Sequence, residues 1–154
     1  MPAALMAFLL SQYGYAWRLP FVNDDFVFLD LTRAMPFPDV WAWHGEWVGL
    51  YYRPWSRELH YWVLQRLFGA NEGPFHAVSL ALWLGVALLY FALARRLAGP
   101  RAAGVATAGM AALAAWALPV VWVAGAQELW MLLFSLASLL LYARGADGRA
   151  TLAL

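Results

Sequence analysis

What most limits the fold of this chain is the run FHAVSLALWLGVALLYFALA, from Phe75 to Ala94, which contains no carboxylate, Arg or Lys and stops against Arg95 and Arg96. A helix needs about 20 mostly apolar residues to cross the hydrocarbon core of a bilayer, and this run supplies them. Two further runs share its character. The stretch from Ala102 to Gly125 is rich in Ala and Gly, which let neighbouring helices approach closely, and Pro119 is expected to kink or end it. The stretch from Leu129 to Ala143 follows Glu128 and ends at Arg144. The remaining run, first of the four in chain order, Met1 to Trp17, is shorter and carries Ser11 and Gln12, so it spans only with Tyr13, Tyr15 and Trp17 placed at the interface. It lacks the basic start of a signal peptide and reads as a membrane segment.

The expected fold is therefore an all-α membrane protein, about four transmembrane helices forming a single transmembrane region over residues 1–154. Composition agrees. Charged residues make up 12% of the chain against the ~25% usual in soluble domains, and 64% is hydrophobic. A soluble domain of 154 residues has no core large enough to hide that surface. The net charge of +1 says nothing about nucleic acid, but there is no basic run, and no nucleic-acid partner is expected. The absence of Cys excludes disulfides, Fe–S clusters and thiolate zinc sites.

Orientation follows from Arg in the short loops and tails. Arg95, Arg96 and Arg101 lie between the second and third runs, while Arg144 and Arg149 follow the fourth. An even number of crossings separates the clusters, so both belong on the cytoplasmic side, with the N-terminus. The first loop, residues 18–74, then faces outward with the GAQE turn at residues 125–128. Of the nine acidic residues this loop holds Asp24, Asp25, Asp30, Asp39, Glu46, Glu58 and Glu72.

Two juxtamembrane amphipathic helices are expected within the loop. Asn23 or Asp24 caps the first, DFVFLDLTRAM, which PFPD breaks. The second, RPWSRELHYWVLQRLFG, repeats Trp55, Leu59, Trp62, Val63 and Leu67 at helical spacing, suits the membrane interface, and stops at Gly69. Ser56, Arg57, His60 and Arg66 lie elsewhere on its wheel. Asp30 and Arg33 are spaced to pair on the first helix.

A span, adjacent carboxylates in FVNDDFVFLD at its outer end, two interfacial helices, and then YYRPWSRELHYW leading into the next span resemble the GT-C glycosyltransferases, in particular the protein mannosyltransferase-like and aminoarabinose-transferase-like membrane enzymes. The likeness runs from about Phe21 to Leu141. It implies a bacterial inner-membrane enzyme that takes a sugar from a polyprenyl-phosphate carrier and passes it to an acceptor (protein, lipid or glycan) on the outer face. It further implies that the chain is the N-terminal part of a larger module and inactive alone. Ala126 stands where such enzymes often carry a basic residue.

The chemistry fits the residues. An acceptor hydroxyl attacking the anomeric carbon needs a base, and a carboxylate accepts the proton late in the transition state. A phosphate leaving group needs no general acid but does need positive charge. Asp24 is the candidate base, with Asp25 orienting the acceptor or sharing the proton. Arg53 is the phosphate clamp by bidentate geometry, Arg57 a second cation, and Tyr52 and His60 are further candidate substrate contacts. No cofactor is implied with certainty, and a divalent metal beside the phosphate stays open. His44, His60 and His76 show no metal-ligand spacing.

Plainer roles stand beside these. Asp24 caps a helix, Arg53 snorkels to headgroups, Arg57 meets solvent or headgroups, Glu128 caps the fourth span, and Trp41, Trp43, Trp47, Trp55 and Trp62 form an interfacial belt. The rival from another class is a non-enzymatic membrane subunit or packing module.

Overall fold

The computed structural model describes residues 2–43 and 51–145, and within them every regular element is helical. The helices are α1, Pro2–Tyr13; α2, Asp24–Arg33; α3, His60–Phe68; α4, Glu72–Ala111; α5, Ala117–Val121; and α6, Ala126–Gly145. A 3₁₀ turn, Gly14–Arg18, follows α1, another covers Phe37–Trp41, and a π turn, Trp55–Leu59, leads directly into α3.

Two segments are long and apolar enough to cross a membrane. These are Glu72–Ala111, with a mean hydropathy of 2.2 in its most apolar window, and Val123–Gly145, with 1.5. Only 33% of each window is buried, whereas the core helix of a soluble protein is mostly enclosed. The second and fourth runs of the sequence lie within these segments.

α4 is two helical halves joined at Gly99, whose φ of 82° and ψ of 169° suit only glycine. Pro100 then opens the second half, where its missing N–H is no loss. The turn sends the chain back along its own path, so that Trp116 meets Trp83 edge-on at 6.1 Å.

The expected third span is not one helix. α4 ends at Ala111, Leu113 is extended, a 3₁₀ turn covers Ala114–Trp116, and after the short α5 Trp122 is again extended. Pro119 is not the cause. It sits in the first turn of α5, where it costs no intrahelical bond, and the breaks lie on either side of it. The indole Nε1 of Trp116 donates to the Met110 carbonyl at 2.6 Å, joining the Leu113 N–H, which donates to the same oxygen at 3.2 Å. The first expected span is also shorter than its sequence run. α1 has 12 residues, about 18 Å of helix at ~1.5 Å per residue, before the 3₁₀ turn takes over.

Two apolar clusters hold these parts together. Tyr13, Leu80, Trp83, Ala87, Ala111, Val120 and Leu129 join α1, both halves of α4, α5 and α6. Phe21, Phe28, Leu29, Tyr61, Leu64, Phe75 and Val123 fasten α2 and α3 onto the start of α4 and the segment before α6. At the far end of α4's first half, Arg96 Nε donates to the Ala143 carbonyl at 3.0 Å, so Arg95, Arg96 and Arg144 share one end of the α4–α6 pair, while Arg149 lies outside the described residues. From Phe75 to Arg96 is about 32 Å of helix, close to one hydrocarbon thickness of ~30 Å.

Candidate functional site

The acidic motif begins with backbone strain. Asn23 has φ 48° and ψ −118°, the geometry of the first central residue of a type II′ turn, and the turn closes through the Asp25 N–H donating to the Val22 carbonyl at 3.1 Å. Asn tolerates positive φ better than other residues with a side chain. The turn places Asp24 and Asp25 as the first two residues of α2, where carboxylates meet the positive end of the helix. Neither Asn23 nor Asp24 caps through its side chain. Asp25 reaches back instead, and its Oδ2 accepts from the Val22 N–H at 3.0 Å.

The two carboxylates have divided roles. Asp25 is buried, and its Oδ1 accepts from the Tyr61 hydroxyl at 2.7 Å and from the Ala124 N–H at 2.8 Å. It ties α2 to α3 and to the turn before α6. Burial pushes the Asp25 carboxyl above the usual carboxylate range, although the three hydrogen bonds and nearby His76 pull the other way. Burial and the adjacent carboxylates push the Tyr61 phenol far up, so it remains a donor. Asp24 is exposed and faces a cavity.

That cavity, about 390 Å³, brings together residues far apart in sequence. Asp24 and Phe28 come from α2, Arg53 and Arg57 from the segment entering α3, and Ala124, Gly125, Gln127 and Glu128 from the start of α6. Leu118, Pro119 and Trp122 give it an apolar edge. Gly125 is needed for this wall. A Cβ there would lie 2.8 Å from Pro119 Cα and 2.9 Å from the Leu118 carbonyl oxygen.

Arg53 extends over the Tyr51 ring at 4.9 Å, donates from Nη1 to Gln127 Oε1 at 2.9 Å, and stands 3.9 Å from Glu128 Oε1. Arg57 is drawn inward by the π turn. The Leu59 N–H bonds to the Pro54 carbonyl at 2.7 Å, an i+5 step that turns Arg57 and Glu58 together toward the interior. Arg57 was expected at solvent or headgroups, and the structure corrects this. It is 5% exposed, its Nε and Nη2 donate to Glu58, and its guanidinium lies 5.5 Å from the Phe28 ring centre. A buried guanidinium needs a counter-charge, and the neighbouring Glu58 provides it.

The other candidates fall elsewhere. Tyr52 does not line the cavity. Its hydroxyl donates to the Trp41 carbonyl at 2.8 Å, and Tyr51 takes the lining position instead. His60 is buried against Phe75 and Trp130, away from the cavity lining, and its Nδ1 accepts from Trp130 Nε1 at 3.2 Å. Burial lowers its pKa to about 4, so it is neutral at physiological pH. His76 is buried, with its Nε2 3.2 Å from the Leu19 carbonyl. His44 and Trp47 lie outside the described residues. Among the described residues no group of three or more His, Asp or Glu side chains is placed to hold a metal ion, and Asp24 and Glu128 are the two carboxylates on the cavity. Asp30 and Arg33 pair at 4.0 Å on the exposed face of α2.

Sequence reasoning missed the contribution of Tyr51, Gln127 and the segment from Leu118 to Gly125. The absence of a basic residue at Ala126 drew attention away from the GAQE turn, yet that turn forms a full wall of the cavity. Its signal was the Gly before a helix whose first turn carries Glu. No family model, curated protein or solved structure matches the chain, so the likeness to the GT-C enzymes rests on the quoted motifs.

Proposed function

We propose that this chain carries the donor site of a membrane glycosyltransferase that uses a polyprenyl-phosphate sugar. The observation that carries this reading is the convergence of Asp24, Arg53 and Arg57 on one cavity at the end of two span-capable helices. In the reaction the acceptor oxygen bonds to the anomeric carbon and the bond from that carbon to the phosphate oxygen breaks. Asp24 takes the hydroxyl proton. The phosphate leaves with the bonding electrons, and Arg53, with Arg57 behind it, balances the charge. The apolar edge at Leu118, Pro119 and Trp122 is suited to the first isoprene units of the carrier.

The membrane arrangement proposed with it has four crossings in a bacterial inner membrane. α1 with its 3₁₀ turn is the first, the halves of α4 together with the broken segment to Gly125 give the second and third, and α6 is the fourth. The shared end of Arg95, Arg96 and Arg144 supports a cytoplasmic side there, with the N-terminus, and the cavity outward. Exposed Tyr15, Trp17, Phe37, Trp41, Trp43 and Trp55 suit the interface on the cavity side.

One observation favours the rival packing module. Asp25 and Arg57, half of the charged quartet, already have structural partners. The deciding test is sugar release from a panel of polyprenyl-phosphate sugars by the longest natural product containing this sequence, in lipid. Asp24→Asn should lower the rate by about 10²-fold or more without loss of expression. A variant matching its parent would give the lead to the packing module.

A further inference from the structure

The carboxylate nearest the Arg53 guanidinium is not the proposed base but Glu128, on the opposite wall. We infer that Glu128 is the specificity-determining residue of the cavity, a built-in competitor that an anionic headgroup must displace from Arg53. The inference rests on the proposal that Arg53 receives a phosphate.

The geometry carries it in three steps. Arg53 Nη1 is hydrogen-bonded to Gln127 at 2.9 Å while Glu128 Oε1 stands 3.9 Å away, so the guanidinium is drawn toward the start of α6. The Arg53 and Glu128 side chains are 41% and 51% exposed, which makes the ion pair weak and leaves Glu128 able to rehydrate when Arg53 turns away. Arg57, the other cation on the cavity, is held by Glu58 and cannot follow a ligand outward. Arg53 is therefore the mobile cation, and Glu128 sets the threshold for engaging it. A neutral headgroup gives Arg53 no reason to leave Gln127 and Glu128. A phosphate does, through two parallel N–H···O bonds. The start of α6, close by at Gln127 and Glu128, adds a favourable dipole once the Glu128 charge moves aside.

The shared ligand chemistry is a single phosphate group, and the test separates its two sources. The full chain is placed in phosphatidylcholine nanodiscs and titrated by calorimetry with polyprenyl phosphate, with neutral polyprenol, and with glycerol phosphate in solution. Parent protein should bind polyprenyl phosphate and not polyprenol. Glu128→Gln should tighten that binding about fivefold, an effect that shrinks at high salt. Gln127→Ala, which frees Arg53 but leaves the charge, should gain less. Glu72→Gln, away from the cavity, should change nothing. Equal or weaker binding by Glu128→Gln, while Arg53→Ala abolishes it, would overturn the inference and leave Arg53 as the clamp. Unchanged binding in Arg53→Ala would remove both the inference and the proposal beneath it. If glycerol phosphate alone reproduces the same order of variants, the threshold stands and the ligand is soluble rather than lipid-borne.

Discussion

At the Arg96 end of the α4–α6 pair, just before α4 folds back at Gly99, the two helices are joined by a guanidinium donating to the Ala143 carbonyl in an exposed setting. At the Asp25 end, one buried carboxylate gathers donors from Val22, Tyr61 and Ala124, beside a strained turn and a broken apolar run. Both ends join elements distant in sequence. The difference lies in what replaces a lost bond. Water or headgroups can satisfy the Ala143 carbonyl, whereas the bonds from Tyr61 and Ala124 to Asp25 are buried, so their loss is costlier and the Asp25 end is built as a unit. A cavity needs that kind of rigidity, because its walls come from α2, the turn into α3, and the start of α6.

The sharpest way to break the comparison is to remove one residue from each end. Asp25→Ala leaves buried donors unpaired and should cost about 3–5 kcal/mol, read as loss of thermal stability in detergent. Arg96→Ala should cost roughly 1 kcal/mol or less. Equal effects at the two ends would show that the Asp25 bonds are peripheral.

Glycines sharpen the contrast next. Gly125→Ala drives a methyl into the backbone of Leu118 and Pro119, and overpacking of that kind costs about 1–3 kcal/mol. Gly104→Ala, in the second half of α4, meets nothing within 4 Å and should stabilise by up to about 1 kcal/mol through helix propensity. Stability measured for the two variants should move in opposite directions.

pH separates the same region from the rest of the protein. The folded pKa of His60 is depressed to about 4 from 6.5, so the neutral ring is what the fold accommodates. Its contribution is fully present above pH 6.5 and is lost as pH falls toward 4, roughly 2 kcal/mol by pH 5. The shift at Asp25 acts in the opposite sense. A carboxyl with a raised pKa is stabilised when protonated, so its share grows as pH falls and is lost as pH rises through the folded value. His60→Asn places an amide oxygen where Nδ1 accepts from Trp130, and it should flatten the acid limb in melts between pH 7 and 5. An unchanged limb would mean that His60 takes up its proton as readily in the folded chain as in the unfolded one.

How much of this was legible depended on which solvent each residue meets. Runs such as Phe75 to Ala94 and Leu129 to Ala143 declare themselves because the lipid-crossing requirement is local. The face of α3 was harder. Trp55 and Leu67, which mark the apolar stripe in the sequence, are exposed, while Arg57, Glu58, His60 and Tyr61 are buried. A protein that presents apolar residues outward inverts the usual pattern, and only the position of Glu58 reveals that Arg57 can be enclosed. The broken third run was illegible for another reason. Residues from Ala102 to Gly125 are uniformly apolar, so nothing in their periodicity marks Leu113 or Trp122 as extended. The breaks follow from distant contacts, above all the Ala124 N–H meeting Asp25 across the fold. The pairing of Arg53 with Gln127 has the same long-range origin.

The smallest expected effect tests the strain itself. A residue with a side chain at φ 48° and ψ −118° costs about 1–3 kcal/mol relative to an ordinary backbone, and Asn reduces that cost without removing it. Asn23→Gly should relieve the strain but lose some stability to the freer unfolded chain, a net gain of about 0.5 kcal/mol. Asn23→Ala, lacking both remedies, should lose about 1 kcal/mol. Because this turn places Asp24 on the cavity and Asp25 closes the turn, the two variants should also differ in the proposed Asp24-dependent sugar release. Glycine retains the rate and alanine lowers it more than its stability loss explains. If alanine were as stable and as active as the parent, the turn would be a tolerated irregularity, and the aim of Asp24 would come from the Asp25 bonds alone.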